Sequence, residues 1–196
     1  MKFLPLILAF AAITTAQLNT TQSYKLKTKV KGRPPGKDAF NNLYLQSYHT
    51  GAGISDVSLT TNATAGIKGF LKITNITTPD SYDGHVYNQV FDLGNEFPWG
   101  LVMVPYDTFY TQWQPVEINA GAVGSGYTVS GFFINETGLQ WTSSPGAIGS
   151  ASDSFGGWFV CDWWHGTLQL FFRLYPSRRG VTPCSCADVY LVPEYI

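Results

Sequence analysis

Residues 155–174 read FGGWFVCDWWHGTLQLFFRL, and this stretch constrains the fold more than any other in the chain. Trp158, Val160 and Asp162 fall on one side of an extended chain, and Phe159, Cys161 and Trp163 fall on the other. Trp164, His165, Gly166 and Thr167 then supply a turn, after which Leu168, Leu170, Phe172 and Leu174 alternate with Gln169, Phe171 and Arg173. Period-two alternation on both sides of a glycine-containing turn is the pattern of a β-hairpin. The even face of the second strand is wholly apolar and predicts burial. The odd face, Gln169, Phe171 and Arg173, is expected to meet solvent or a partner.

The same alternation recurs along the chain. Tyr24, Leu26, Thr28 and Val30 alternate with Lys25, Lys27, Lys29 and Lys31, giving a strand with one packing face and one comb of lysines. Lysines of this kind are a usual way to stop an exposed sheet edge from pairing with another chain, so an edge strand is expected here ahead of a binding role. Gly32, Pro34, Pro35 and Gly36 end it. Residues 43–48, 57–60, 67–74, 86–93, 101–104, 116–118 and 189–192 read as further strands. His49-Thr50-Gly51-Ala52-Gly53 reads as a turn with a structural histidine, because it lacks the third glycine and following helix of a nucleotide loop. Residues 119–126 are glycine-rich but carry no lysine for a phosphate cradle. One helical turn, capped by Asp107 and running through Phe109, Tyr110 and Trp113, is the sole helical candidate. Residues 129–134 and 139–141 flank the turn Asn135-Glu136-Thr137-Gly138 in a second hairpin that echoes the first, with Gly138 suited to a left-handed position. The expectation is one all-β domain over residues 17–196, an antiparallel sandwich or barrel in which the two hairpins supply central strands.

The chain opens with Lys2, an apolar run over residues 3–13, and Thr14, Thr15, Ala16 and Gln17. A basic end, a short apolar core and small residues form a secretory signal, expected to cover residues 1–16. The run is well short of the roughly 20 residues that cross a bilayer as a helix, so no membrane span is expected. Four Asn-X-Ser/Thr sequons at Asn19, Asn62, Asn75 and Asn135 fit N-glycosylation of a secreted chain, each marking a surface loop. Cys161, Cys184 and Cys186 are odd in number, so at most one intrachain disulfide forms. A bond within Cys184-Ser185-Cys186 would close a strained small ring, which favours Cys161 with Cys184 or Cys186. His49, His85 and His165 have no ligand-like spacing with the cysteines, so no metal or other cofactor is expected. Charge is unevenly placed: six basic residues between 25 and 37 precede the first acid, Asp38. A basic arm on an acidic body suits a polyanionic surface.

Several short pieces taken together resemble a known family. His49-Thr50-Gly51-Ala52-Gly53, the hairpin Gly138-Leu139-Gln140-Trp141, Gly157-Trp158 with Cys161, the strand from Leu168 to Phe172, and Pro183 followed by Cys186-Ala187-Asp188-Val189 are similar to a family of small secreted β-rich fungal proteins of unknown function. The resemblance implies secretion and a β-rich fold without an assigned activity. It also implies that Cys186 is the partner of Cys161 and that Cys184 is an addition.

Among function classes, non-enzymatic extracellular or wall-associated binding leads, with cell-wall polysaccharide or an extracellular protein as partner. Aromatic side chains on β-surfaces stack on sugar rings, and Asp162, Trp163, Trp164 and His165 cluster at one hairpin end. Trp158, within a strand, is read as core. A glycan-active hydrolase would need two carboxylates set roughly 5 to 9.5 Å apart. Glu96, Glu117, Asp153 and Asp162 are available, but nothing in the sequence pairs them. No nucleophile elbow or metalloprotease helix appears, and no catalytic residue is assigned. A secreted effector that binds a protein partner is the remaining alternative, and an exposed apolar patch would be its mark. No nucleic-acid partner is expected.

Overall fold

The computed structural model describes residues 22–77, 84–94, 97–105, 107, 112–126, 128–148, 150, 152–163 and 166–196. The expected signal segment, Asn19, Glu96, Trp164 and His165 lie outside them, as does most of the stretch expected to form a helical turn after Asp107. Within the described residues the chain forms β1 (Tyr24–Val30), β2 (Tyr44–Gly51), β3 (Ile54–Thr60), β4 (Lys68–Thr77), β5 (His85–Asp92) and β6 (Trp99–Met103). It continues through β7 (Trp113–Ala120), β8 (Phe132–Asn135), β9 (Gly138–Trp141), β10 (Phe155–Asp162), β11 (Leu168–Leu174) and β12 (Cys186–Tyr195). Two single 3-10 turns, Asp38–Phe40 and Tyr175–Ser177, are the helical structure of the described residues. Trp113, expected to end a helical turn, opens β7 instead.

These strands make one antiparallel sheet that closes on itself as a nine-strand barrel, which decides between the two expected all-β architectures. Closure runs through β12. That strand pairs with β1 from Val30 opposite Val189 to Tyr24 opposite Tyr195, and with β10 from Trp158 opposite Val189 to Cys161 opposite Cys186. On the far side of the circuit, β10 pairs with β11, β11 with β3 and β3 with β7, while β11 also reaches β7 directly. The sheet then passes through β6, β5 and β4, and Gly69 of β4 meets Tyr24 of β1. The β2–β3 hairpin bridges the wall. Lys27 faces Tyr44, Ser58 faces Gln169 of β11, and residues 54–56 face 119–117 of β7.

Two expectations change here. β1 is no edge, because β12 covers one side of it and β2 and β4 share the other. Its lysines therefore project from an interior strand, and repelling edge-to-edge pairing is not their role. The 155–174 hairpin is central as expected, but β8 and β9 are not. They end the sheet, attached to β5 where Tyr87 faces Phe132, and they lay Phe132, Leu139 and Trp141 into the main core.

The core follows from the alternation. Leu26 and Val30 of β1, Val160 of β10, Leu170 and Phe172 of β11 and Val189 and Leu191 of β12 share one cluster with Trp141 and Trp158. Phe155 and Trp158 meet edge to face at 5.0 Å between ring centres, and Trp141 meets Phe172 at 5.7 Å. Burying an indole requires a partner for its N–H. Trp158 donates to the Leu139 carbonyl and Trp141 to that of Ser130, so each indole also pins the second hairpin. Gly138 makes this approach possible. Its φ is +110°, and a Cβ there would stand 2.1 Å from the Leu191 carbonyl oxygen.

Candidate functional site

β10 ends at exposed Asp162, whose N–H donates to the Ser185 carbonyl just before β12 begins. The chain turns over the next residues: Trp163 N–H donates to Thr167, and Gly166 N–H, with φ +70° at that residue, donates back to Trp163. Trp163 is 40% exposed, a large fraction for an indole. Its ring stands against Phe171 of β11, 5.2 Å between centres and 69° between planes. Of the four residues expected to form a ligand contact, the structure thus places Asp162 and Trp163 together at an exposed end of the barrel, while Trp164 and His165 lie outside the described residues.

The wall behind Trp163 departs from expectation. Gln169, Phe171 and Arg173 are all buried, at 4%, 4% and 1% exposure, rather than facing solvent. The reason is a second, smaller apolar cluster on the outer face of the sheet, made by Phe159, Cys161, Phe171 and Cys186 with Trp113 packed against them. Cys161 and Cys186 are directly opposed on β10 and β12 and are joined by the disulfide, leaving Cys184 free and exposed. The pairing implied by the family resemblance is therefore the one observed.

Arg173 enters this layer because its charge is matched there. Its Nε and Nη2 donate to the two carboxylate oxygens of Asp188 at 2.6 and 3.2 Å, and Nη2 also donates to Thr182 Oγ1. The guanidinium plane lies over Phe159, 4.1 Å from the ring centre. Beside it the Lys31 ammonium sits 4.9 Å from the centre of the Tyr190 ring. Burial pushes the Lys31 pKa down, with Asp188 pulling it up and Arg173 pushing it further down. Gln169 Oε1 and Arg173 Nη1 are buried with no hydrogen-bond partner among the described residues. One sequence signal pointed to this covered face. Phe159 and Phe171 are cross-strand neighbours on the outer side, and an aromatic pair of that kind seldom faces water alone.

Two of the carboxylates available for acid and base chemistry, Glu117 and Asp153, are in structural use. Glu117 accepts from Asn119 Nδ2 at 2.8 Å, and Asp153, 3% exposed, accepts from the backbone N–H groups of Ser143 and Phe155. No group of three or more His, Cys, Asp or Glu side chains among the described residues is placed to hold a metal ion. His49 lies on β2, which runs three residues past the expected strand end, into the expected turn, and reverses at Ala52-Gly53.

Residues 21–195 match the model of a family described as a domain of unknown function, DUF7907, and the chain belongs to that family. No curated protein and no solved structure matches it.

Proposed function

We propose that this is a secreted glycoprotein that binds an extracellular ligand without chemical turnover, a carbohydrate being the favoured class, at the end of the β10–β11 hairpin. One observation carries the reading: Trp163 presents a 40% exposed indole that Phe171 holds in place from behind. An aromatic face fixed before binding loses little side-chain entropy when a sugar ring stacks on it. The rigid backing supports the same role, since the disulfide and the Arg173–Asp188 pair fix the strands that carry Trp163. Asp162, exposed beside it, offers a carboxylate to sugar hydroxyls. The opening 16 residues and the disulfide support the extracellular address. The structural engagement of Glu117 and Asp153 supports binding over hydrolysis.

A glycan array with the secreted protein tests the proposal, followed by Trp163→Ala on each hit. Loss of one stacked indole should weaken binding by one to two decades, about 1–3 kcal/mol. A folded variant that binds as well as the parent removes the hairpin end as the site. An array without hits removes the carbohydrate class and leaves a protein partner.

A further inference from the structure

We infer that the loop following β1 forms an oxyanion-binding cleft that takes the carboxylate or phosphate of an acidic sugar. The cleft has a volume of about 270 Å³ and is lined by Lys29, Arg33, Pro34, Lys37, Asp38 and Asn41, where the backbone leaves β1 at Val30. Small-molecule sites usually run from roughly 300 to 1,000 Å³, so this one suits a single acid-bearing unit rather than a peptide or an oligomer.

Three basic residues and one acid line it, and none of the four makes an ion pair among the described residues. That sets the cleft apart from the rest of the lysine comb. Lys25 donates to the Ala63 carbonyl, Lys27 is paired with Glu194, and Lys31 is covered over Tyr190. The side chains of Lys29 and Arg33 have no such partner among the described residues. Lys37 is held by two of its three donors, to the carbonyls of Pro183 at 3.0 Å and Cys184 at 2.6 Å, and stands 5.7 Å from the centre of the Phe40 ring, so it adds positive charge to the cleft rather than a free donor.

The backbone is also shaped for this purpose at a cost. Gly32 has φ +70° and Arg33 has φ +50°, so a long side chain occupies the left-handed region that such residues avoid. Strain retained at an exposed loop is a feature of ligand clamps. The strained turn is held from beneath: Val30 N–H donates to Asn41 Oδ1, Asn41 N–H donates to the Asp38 carbonyl, and Phe40 is buried. The cleft uses neither Asp162 nor Trp163, and only the choice of a sugar as carrier of the acid rests on the reading above.

The test is a titration of the purified protein with inorganic phosphate, galacturonic acid and galactose, followed by backbone amide shifts at low ionic strength. Saturable shifts confined to residues 29–41 are expected with at least one of the two anions and not with galactose. Phosphate alone points to a phosphate ester as the source, and galacturonate alone points to a uronic acid. Arg33→Gly accepts the positive φ, so it should fold with unchanged or higher thermal stability while binding about tenfold more weakly. Lys29→Ala should weaken binding similarly, Asp38→Asn should tighten it, and Lys72→Ala, on exposed β4 surface, should leave it unchanged. The proposal is overturned if neither anion binds saturably or if galactose binds as tightly as galacturonate. It is equally overturned if Arg33→Gly and Lys29→Ala bind like the parent, or if Lys72→Ala weakens binding as much as they do.

Discussion

Arg173 of β11 reaches Asp188 of β12 across the strand between them, passing its guanidinium over Phe159 of β10. The ion pair thus clamps three neighbouring strands on the outer face of the barrel. Its two ends differ in solvation. The Arg173 side chain is 1% exposed and that of Asp188 29%. Removing the carboxylate strands a buried charge, whereas removing the guanidinium leaves an acid that water can reach. Asp188→Ala should therefore cost about 3–5 kcal/mol of stability, and Arg173→Met, which keeps the packing over Phe159, markedly less. Urea unfolding of both variants checks the order, and an equal or reversed cost refutes it.

The disulfide should contribute about 3 kcal/mol, because it closes a loop with a sequence separation of 25 in the unfolded chain. Cys161→Ala/Cys186→Ala should lose that amount in urea unfolding, while Cys184→Ser should lose almost nothing, its side chain being exposed. Peptide mapping without reduction should return Cys161 joined to Cys186, with Cys184 open to alkylation. A peptide joining Cys161 to Cys184 contradicts this.

Much of the barrel was legible because each strand buries one face and period two marks which. Tyr24, Leu26, Thr28 and Val30 lie buried between lysines just as their alternation implies. What alternation leaves open is whether the second face is covered. Beyond the Phe159–Phe171 pair, nothing local to Gln169, Phe171 and Arg173 announces that Trp113, nearly 60 residues earlier, and Asp188 will cover them, since both contacts depend on how the sheet closes. Closure likewise hid that β1 is interior. Its partner β12 is contributed by the far end of the chain, and loop-closure entropy rather than local sequence separates such strands. At the site the hairpin end was readable from its turn, without telling which of Trp163 and Trp164 is exposed, and the cleft was not readable at all. Lys29, Arg33 and Lys37 look alike in sequence to Lys25, Lys27 and Lys31, and the difference lies in which of them the fold neutralises.

Two sequons sit in turns that suit glycan attachment. Asn62 Oδ1 accepts from the N–H and hydroxyl of Thr64, and Asn135 Oδ1 accepts from those of Thr137. Asn75 differs from its expected loop position, standing exposed within β4. Protein secreted from a glycosylating host should lose mass on treatment with a peptide-N-glycosidase amidase, which hydrolyses the glycosylated side-chain amide, and show Asn-to-Asp conversion at Asn62 and Asn135. Unchanged mass would remove the glycoprotein reading.

Lys31 gives the barrel a pH dependence whose sign can be worked out. Burial holds its folded pKa below the ordinary lysine value of 10.5, so over that interval the unfolded chain binds the proton more fully than the native one. Stability then rises with pH, because the folded state is the one that tolerates the neutral amine. Below the folded pKa the penalty of a buried ammonium is present in full, and it is relieved as pH climbs toward 10.5. Tyr24 works against this at the upper end. Burial holds its pKa far above 10.0, so beyond that pH the unfolded chain ionises first and stability falls again. Lys31→Met should therefore be more stable than the parent at pH 7, with an advantage that shrinks toward pH 10. Urea midpoints of the two proteins at pH 7, 8.5 and 10 measure the gap, and a gap that stays constant or widens would show that the Tyr190 contact, rather than burial of the charge, governs the site.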